Sequence, residues 1–426
     1  MKNRLINSFS YVFSRLLAVL ITASLLLTLF LPVQSVSAKS KKKAENSEFR
    51  AVWVAYYDFE KSKSYSKEGF TEYVREMFAN VKDMGMNAVL VHVRPFGDAM
   101  YKSAYYPWSY YASGEQGKNP GYDPLEIMVE LAHEKGLQIH AWINPYRVST
   151  SWNYGTDAEK LSKKNQARKW LTNKKTKDDR YVLAYGGALY YNPSVKKVRS
   201  LIINGVKEIV KNYDVDGIHL DDYFYPALGS EYESNFDAPE YEKYAAKCRK
   251  KKKTALSIAD WRRNNVNVLV KSLYEAVKEI DPKAAFGISP GGYIDYFKDD
   301  DRWYVDYETW MGNEGYIDYI CPQLYWSFNT KNIYPYYETL EKWLEARTVS
   351  SVSVYVGLPA YKLNEDVKIS SMNNNPDSEF YNPFLLADYV NYGRKTGGVA
   401  GYVFFDYDDM IDEKNQTAVQ NLKEIW

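Results

Sequence analysis

Apolar and polar positions follow two different periods along this chain, and the switch between them recurs eight times. Runs that alternate, or that are continuously apolar over a few residues, span 50–57, 87–94, 138–144, 217–222, 285–290, 319–326, 352–361 and 399–406. Between them lie stretches with helical spacing, for example 69–84, 124–135, 194–212, 262–280 and 383–395, and a last one over 415–425 closes the chain. Short strands alternating with helices predict βαβ units and a parallel sheet. Eight such units predict an α/β fold whose sheet closes on itself, a single (β/α)8 TIM barrel.

Connection lengths sharpen this picture. Helix-to-strand links are short and marked by Gly85, Gly136 and Gly397-Gly398, whereas the strand-to-helix links 95–123, 145–193, 223–261 and 362–382 are long. All the long loops leave the carboxyl ends of strands, the face where barrel enzymes place their sites. That asymmetry predicts a groove for an extended substrate more than a small sealed pocket.

Alternation also predicts which side chains face the barrel axis. With Ile218 and Leu220 outward, Gly217, His219 and Asp221 point in. With Val89, Val91 and Val93 outward, Leu90, His92 and Arg94 point in; in the third run His140, Trp142 and Asn144 do so. One layer then holds His92, His140 and His219, and the layer nearer the mouth holds Arg94, Asn144 and Asp221. Polar side chains at that depth are costly without a purpose, so they read as a site. Asp221 is the leading catalytic candidate. Arg94 either keeps it ionised or binds substrate oxygens, unless the two form only a structural pair. Asp222 has the opposite parity, yet a relaxed strand end lets both carboxylates reach the cleft; its alternative role is to cap the loop 223–226. Asp406 ranks next, with Asp98 and Asp408 on the same face.

Composition adds rings. The chain has 41 Tyr, 17 Phe and 11 Trp. Flat amphipathic rings suit sugars, whose C–H faces stack while their hydroxyls hydrogen-bond. Trp142, Asn144, Tyr146, Arg147, Tyr223, Gln323, Tyr325, Trp326 and Tyr361 gather at strand ends and, with Arg94, Asp98 and His219, form the expected substrate-binding set. A carboxylate there suits glycoside hydrolysis, where it attacks or stabilises an oxocarbenium-like centre. Two adjacent carboxylates also suit catalysis by a substrate's own 2-acetamido group, one orienting its nitrogen and the other acting as general acid, in either assignment. Three inward histidines raise a metal-hydrolase alternative, but there is no H-x-H or H-E-x-x-H pattern, and packed, hydrogen-bonded histidines are the favoured reading. No metal or cofactor is expected.

Lys2, Arg4 and Arg15 precede an apolar run over 16–31 and a small-residue site at Val36-Ser37-Ala38, the layout of a secretory signal peptide, with an uncleaved anchor as the alternative. The expected organisation is a signal peptide over 1–38, a flexible linker over 39–48 and a barrel over 49–426. Residues 1–38 hold three basic and no acidic residues, so their removal takes the formal charge from +1 to −2. A near-neutral surface gives no case for nucleic acid, and the basic clusters 39–43, 163–177 and 247–253 read as solvated tail or loop. Two cysteines, Cys248 and Cys321, exclude a disulfide scaffold and a Cys-rich zinc site. No stable membrane partner is expected after signal cleavage.

Several stretches resemble the bacterial glycosyl hydrolase-like 10 family: Phe49-Arg50-Ala51-Val52-Trp53-Val54, Val93-Arg94-Pro95-Phe96-Gly97-Asp98-Ala99, Ala141-Trp142-Ile143-Asn144-Pro145-Tyr146-Arg147, Gly287-Ile288-Ser289-Pro290 and Pro322-Gln323-Leu324-Tyr325-Trp326. The longest is Asp216-Gly217-Ile218-His219-Leu220-Asp221-Asp222-Tyr223-Phe224-Tyr225-Pro226. The resemblance implies a TIM barrel, a glycosidase activity class and an extracytoplasmic bacterial setting. Secretion, a groove and paired Asp residues together suggest an endo-acting hydrolase of cell-wall glycan, peptidoglycan strands with 2-acetamido sugars. A non-catalytic glycan-binding barrel and a metal-dependent hydrolase or deacetylase are the alternatives.

Overall fold

Eight parallel strands close on one another as a barrel. They are β1 (Phe49–Val54), β2 (Ala88–Arg94), β3 (Gln138–Ile143), β6 (Gly217–Leu220), β7 (Ala285–Ile288), β8 (Tyr319–Ile320), β9 (Ser353–Pro359) and β10 (Val399–Phe405), and they pair around the barrel in the order β1-β10-β9-β8-β7-β6-β3-β2. The remaining two, β4 (Val182–Tyr185) and β5 (Ala188–Tyr191), pair as an antiparallel hairpin inside the long loop after β3. The computed structural model describes residues 48–228, 235–297, 303–328, 335–364 and 379–426. The expected signal peptide, and the linker up to Ser47, lie outside the described residues.

Helices cover the barrel where the periodicity places them: Lys67–Asp83, Pro124–Glu134, Lys196–Asn212, Ile258–Ile280, Leu385–Thr396 and Gln416–Lys423. Three of these starts carry side-chain caps. The Ser66 and Ser257 side chains accept from Gly69 and Asp260 backbone N–H groups, and Asp123 caps a helix that begins with Pro124.

Two expectations need correction. The run 319–326 is a strand only over Tyr319–Ile320, because Pro322 has no N–H for the ladder. Beyond it, Gln323 touches the sheet through single bridges to Gly291 and Gly357, which brings its side chain over the mouth. The basic cluster 247–253 is not simply a loop: Lys247, Arg249 and Lys250 form the last turn of a helix, Ala238–Lys250, where cations oppose the negative end of the helix dipole.

Two apolar cores result. The larger packs the outward strand residues against the helices; the smaller fills the barrel with Phe49, Trp53, Leu90, Trp142, Tyr319 and their small neighbours. Rings this large fit because glycine faces them. A Cβ on Gly287 would lie 2.1 Å from the Tyr319 ring, and one on Gly217 2.8 Å from His140. Cys321 is buried, Cys248 is half-buried, and both are free.

Candidate active site

The strand tips open at their carboxyl end on a cavity of about 240 Å³. From the barrel interior, Trp53, His92 and Trp142 reach up into it. His92 and Trp142 lie flat together, with ring centroids 3.6 Å apart and planes 10° apart. Arg147, Tyr223, Tyr325 and Tyr361 stand around the opening.

Asp221 and Asp222 face this space from the end of β6. One carboxyl oxygen of Asp221 accepts the Asp222 backbone N–H at 2.8 Å and the Gln323 side-chain amide at 3.2 Å. That amide is held in place because it also donates to the Ser289 carbonyl at 3.3 Å. Burial pushes the Asp221 carboxyl up, while these hydrogen bonds and the positive charge of Arg147 pull it back. Asp222 is raised well above the usual carboxylate range, first by burial and then by the negative charge of Asp221. Both carboxyls are thus raised by burial, but the hydrogen bonds favour the anion of Asp221, and Asp222 is the one that holds its proton to higher pH. The Arg147 guanidinium lies 4.3 Å over the Tyr223 ring and 5.3 Å from that of Phe96. Wedged between rings, it supplies positive charge without closing on either carboxylate.

Two of the three histidines are committed to the barrel by hydrogen bonds, whereas His92 is held by ring stacking and both of its buried ring nitrogens are without a hydrogen-bond partner among the described residues. Trp53 donates its indole N–H to His219 Nε2 at 3.1 Å, so the proton of His219 sits on Nδ1 and is donated to the Tyr319 hydroxyl at 2.9 Å. That hydroxyl donates in turn to His140 Nδ1 at 3.0 Å. Burial lowers His92 and His219 well below the usual imidazole value and takes His140 to about 4, so all three are neutral at pH 7. Among the described residues, no group of three or more His, Cys, Asp and Glu is arranged to hold a metal ion.

Of the expected residues, Trp142, Asn144, Arg147, Asp221, Asp222, Tyr223, Gln323, Tyr325 and Tyr361 line the cavity. Six lie elsewhere. Arg94 is fully buried on the outer side, 4.6 Å over the Tyr106 ring, and does not meet Asp221. The cause is a bulge after His92: the register shifts there and Arg94 pairs with the outward Ile143. Asp98 is buried against the Gln116 amide at 2.8 Å, and burial takes it up to about 6. Tyr146 is fully buried in the outer core. His219 is outside the cavity lining, bonded between Trp53 and Tyr319 in the barrel interior. Trp326 stacks on Tyr293 at 4.0 Å, away from the opening.

Asp406 shares its parity with Tyr402 and Phe404, which pack outward, while Val403 and Phe405 pack inward. It caps the short helix Tyr407–Ile411 and bonds the Tyr57 hydroxyl, reaching the cavity only through that side chain. Alternation missed Trp53, Tyr56, Tyr57 and Phe405 as lining residues. Inward parity on the first and last strands was the signal for Trp53 and Phe405. Tyr56 and Tyr57 belong to a helical turn, Tyr56–Phe59, where strand parity no longer applies.

Comparison with known proteins gives a consistent picture. A family model described as Glycosyl hydrolase-like 10 matches residues 48–374. Glycosyl hydrolase YngK of Bacillus subtilis (strain 168) is 38% identical over 396 residues, covering 88% of this chain and 70% of that protein. Glycosyl hydrolase DigH of Escherichia coli (strain K12) is 33% identical over 371 residues, covering 82% of this chain and 78% of its own length. Among solved structures, the PgaB (BpsB) glycoside hydrolase domain from Bordetella bronchiseptica matches with a TM-score of 0.56 at 12% identity, covering 87% of this chain and 98% of that one. At that identity the likeness concerns the fold alone.

Proposed function

Because the chain belongs to the glycosyl hydrolase-like 10 family, we propose that it hydrolyses glycosidic bonds within a cell-wall polysaccharide, namely peptidoglycan glycan strands with 2-acetamido sugars. The observation that carries this reading is the adjacent carboxyl pair at the tip of β6: Asp221 accepts two hydrogen bonds that favour its anion, and Asp222 beside it is raised further by burial and by the Asp221 charge. Asp222 donates that proton to the glycosidic oxygen as the C1–O bond breaks. Asp221 holds the acetamido N–H, so that the carbonyl oxygen of the same group attacks C1 and closes an oxazolinium ring. Water then opens the ring, Asp222 takes its proton, and configuration is retained. Aromatic faces of Trp142, Tyr223 and Tyr325 around the pair support stacking of the sugar.

The setting is extracytoplasmic, on the basic–apolar–small pattern of residues 1–38. Cell fractionation tests the setting, which recovery in the cytoplasm would overturn; N-terminal sequencing then separates cleavage, with a start near Lys39, from an uncleaved anchor that retains Met1.

The activity test is release of soluble oligosaccharides from purified peptidoglycan, intact and stripped of stem peptides, by wild type, Asp221→Asn and Asp222→Asn. Release by wild type alone supports the reading. Binding without release by wild type would make the barrel a glycan-binding module, and activity abolished by chelator would move the chemistry to a metal.

A further inference from the structure

An aromatic run leads from the cavity out over its rim. Trp142 stacks on His92, and the His92 ring meets Tyr56 with centroids 5.5 Å apart. Tyr56 faces Trp152 at 6.3 Å with 19° between the planes. Trp152 sits in the loop between β3 and β4, outside the cavity lining. At 61% exposure it is the most open of the large exposed hydrophobic side chains among the described residues. Phe96 braces it edge-on, with centroids 6.2 Å apart, and Phe96 also lies 5.3 Å from the Arg147 guanidinium beside the carboxyl pair. The indole is therefore fixed to the wall of the site and not to a remote part of the surface.

The cavity is too small for a polysaccharide segment. Its roughly 240 Å³ is below the roughly 300–1,000 Å³ of pockets that enclose a drug-sized ligand. It has room for about one sugar ring, so the neighbouring rings of a chain must lie on the surrounding loops. An indole that keeps a face in water offers apolar area to the C–H face of such a ring.

Building on the glycosidase reading above, we propose that Trp152 is a distal sugar platform, stacking a ring of the same glycan chain whose reacting ring occupies the cavity. The occupant is a pyranose of that chain, reached along the line from Trp142 through Tyr56. Its contribution depends on chain length: a ligand confined to the cavity does not reach Trp152, and a longer one does.

The test uses Trp152→Ala and Trp152→Phe, with circular dichroism as the folding control that an exposed position should pass. Binding is measured by calorimetry in the Asp222→Asn background, and kcat/KM in the active enzyme. The ligands are β-1,4-linked N-acetylglucosamine oligomers from the disaccharide to the hexasaccharide, and stem-stripped glycan strands. Trp152→Ala should weaken the longest ligands by roughly 3- to 10-fold, the size of one aromatic contact. It should leave the shortest ligand unchanged, and Trp152→Phe should keep most of the affinity. An equal effect at every length, or none while wild type binds and cleaves, overturns the platform and leaves the glycosidase reading intact. Failure of wild type to bind or cleave any of these glycans overturns both.

Discussion

Two neighbouring aspartates, of which Asp222 holds its proton to higher pH than Asp221, make a sharp kinetic prediction. The working state needs Asp222 protonated and Asp221 ionised, so kcat/KM should be bell-shaped in pH. Its basic limb falls where Asp222, raised by burial and by the charge of Asp221, finally loses its proton. Asp222→Asn should lower kcat by about 10²- to 10⁴-fold on unactivated glycan. It should lower it much less on an aryl glycoside whose leaving group needs no proton, and it should erase the basic limb. A retained basic limb in that variant would assign the acid elsewhere. Asp98 supports a second prediction, on stability. Its carboxyl is raised from 3.8 to about 6 by burial, so its stabilising contribution is complete below pH 3.8 and is lost as pH rises through about 6. Relative to wild type, Asp98→Asn should therefore gain about 2–3 kcal/mol between pH 4 and pH 7. Urea unfolding at both pH values measures this, and a constant difference would contradict it. Strand alternation was enough to find Asp221, Trp142 and Asn144. It misplaced Arg94 because one extra residue in β2 reverses parity, and a bulge leaves no mark in hydrophobic pattern.

Among the elements, the loop after β6 depends on a contact that no periodicity reveals. Arg262, near the start of helix Ile258–Ile280, gives Asp237 Oδ1 two hydrogen bonds at 2.9 and 2.6 Å, and both side chains are fully buried. Arg262 also donates to the Tyr304 hydroxyl at 2.7 Å, and the Tyr225 hydroxyl donates to Asp237 at 3.0 Å. This network ties the helix Ala238–Lys250 to the stretch that presents Tyr223 to the cavity. Removing one partner leaves a buried unpaired charge, so Arg262→Met should cost about 3–5 kcal/mol. Arg262→Met with Asp237→Leu should recover a large part of that, as measured by denaturant midpoints. Equal losses in the single and double variants would mean that shape, not charge, holds the loop. Strands and helices with strong periods were legible, as was the face that carries the long loops. The hairpin β4–β5 and the helix Ala238–Lys250 were not, because their sequences are short or polar and are ordered by tertiary contacts more than by propensity.

At the scale of the whole barrel, the count of eight strands followed from alternation, but the filling of the interior did not. Rings from several strands interlock there, and the polar line Trp53–His219–Tyr319–His140 runs through them. Gly287→Ala would push a methyl group into the Tyr319 ring and should cost about 1–3 kcal/mol by overpacking. The buried imidazoles, two in this line and His92 beside it, control how the fold responds to acid. Burial lowers His140 from 6.5 to about 4 and lowers His92 and His219 well below 6.5. For a depressed imidazole the unfolded chain binds more protons, so its stabilising contribution is complete above pH 6.5 and is lost as pH falls toward the folded value. Three such groups in one barrel add their slopes, each up to about 1.4 kcal/mol per pH unit. Stability should therefore drop between pH 6.5 and 4, a fall that Asp98 partly offsets because its own contribution grows as pH falls through the same window. His140→Asn removes one of the three and should make that acid limb shallower by about one such slope, whatever the variant costs at neutral pH. Unfolding free energies measured in small pH steps separate the two effects, because a packing loss moves the whole curve and a titration changes only its slope. An unchanged slope would mean that His140 binds as many protons in the folded barrel as in the unfolded chain over this range, and burial of this imidazole would then play no part in the acid limb.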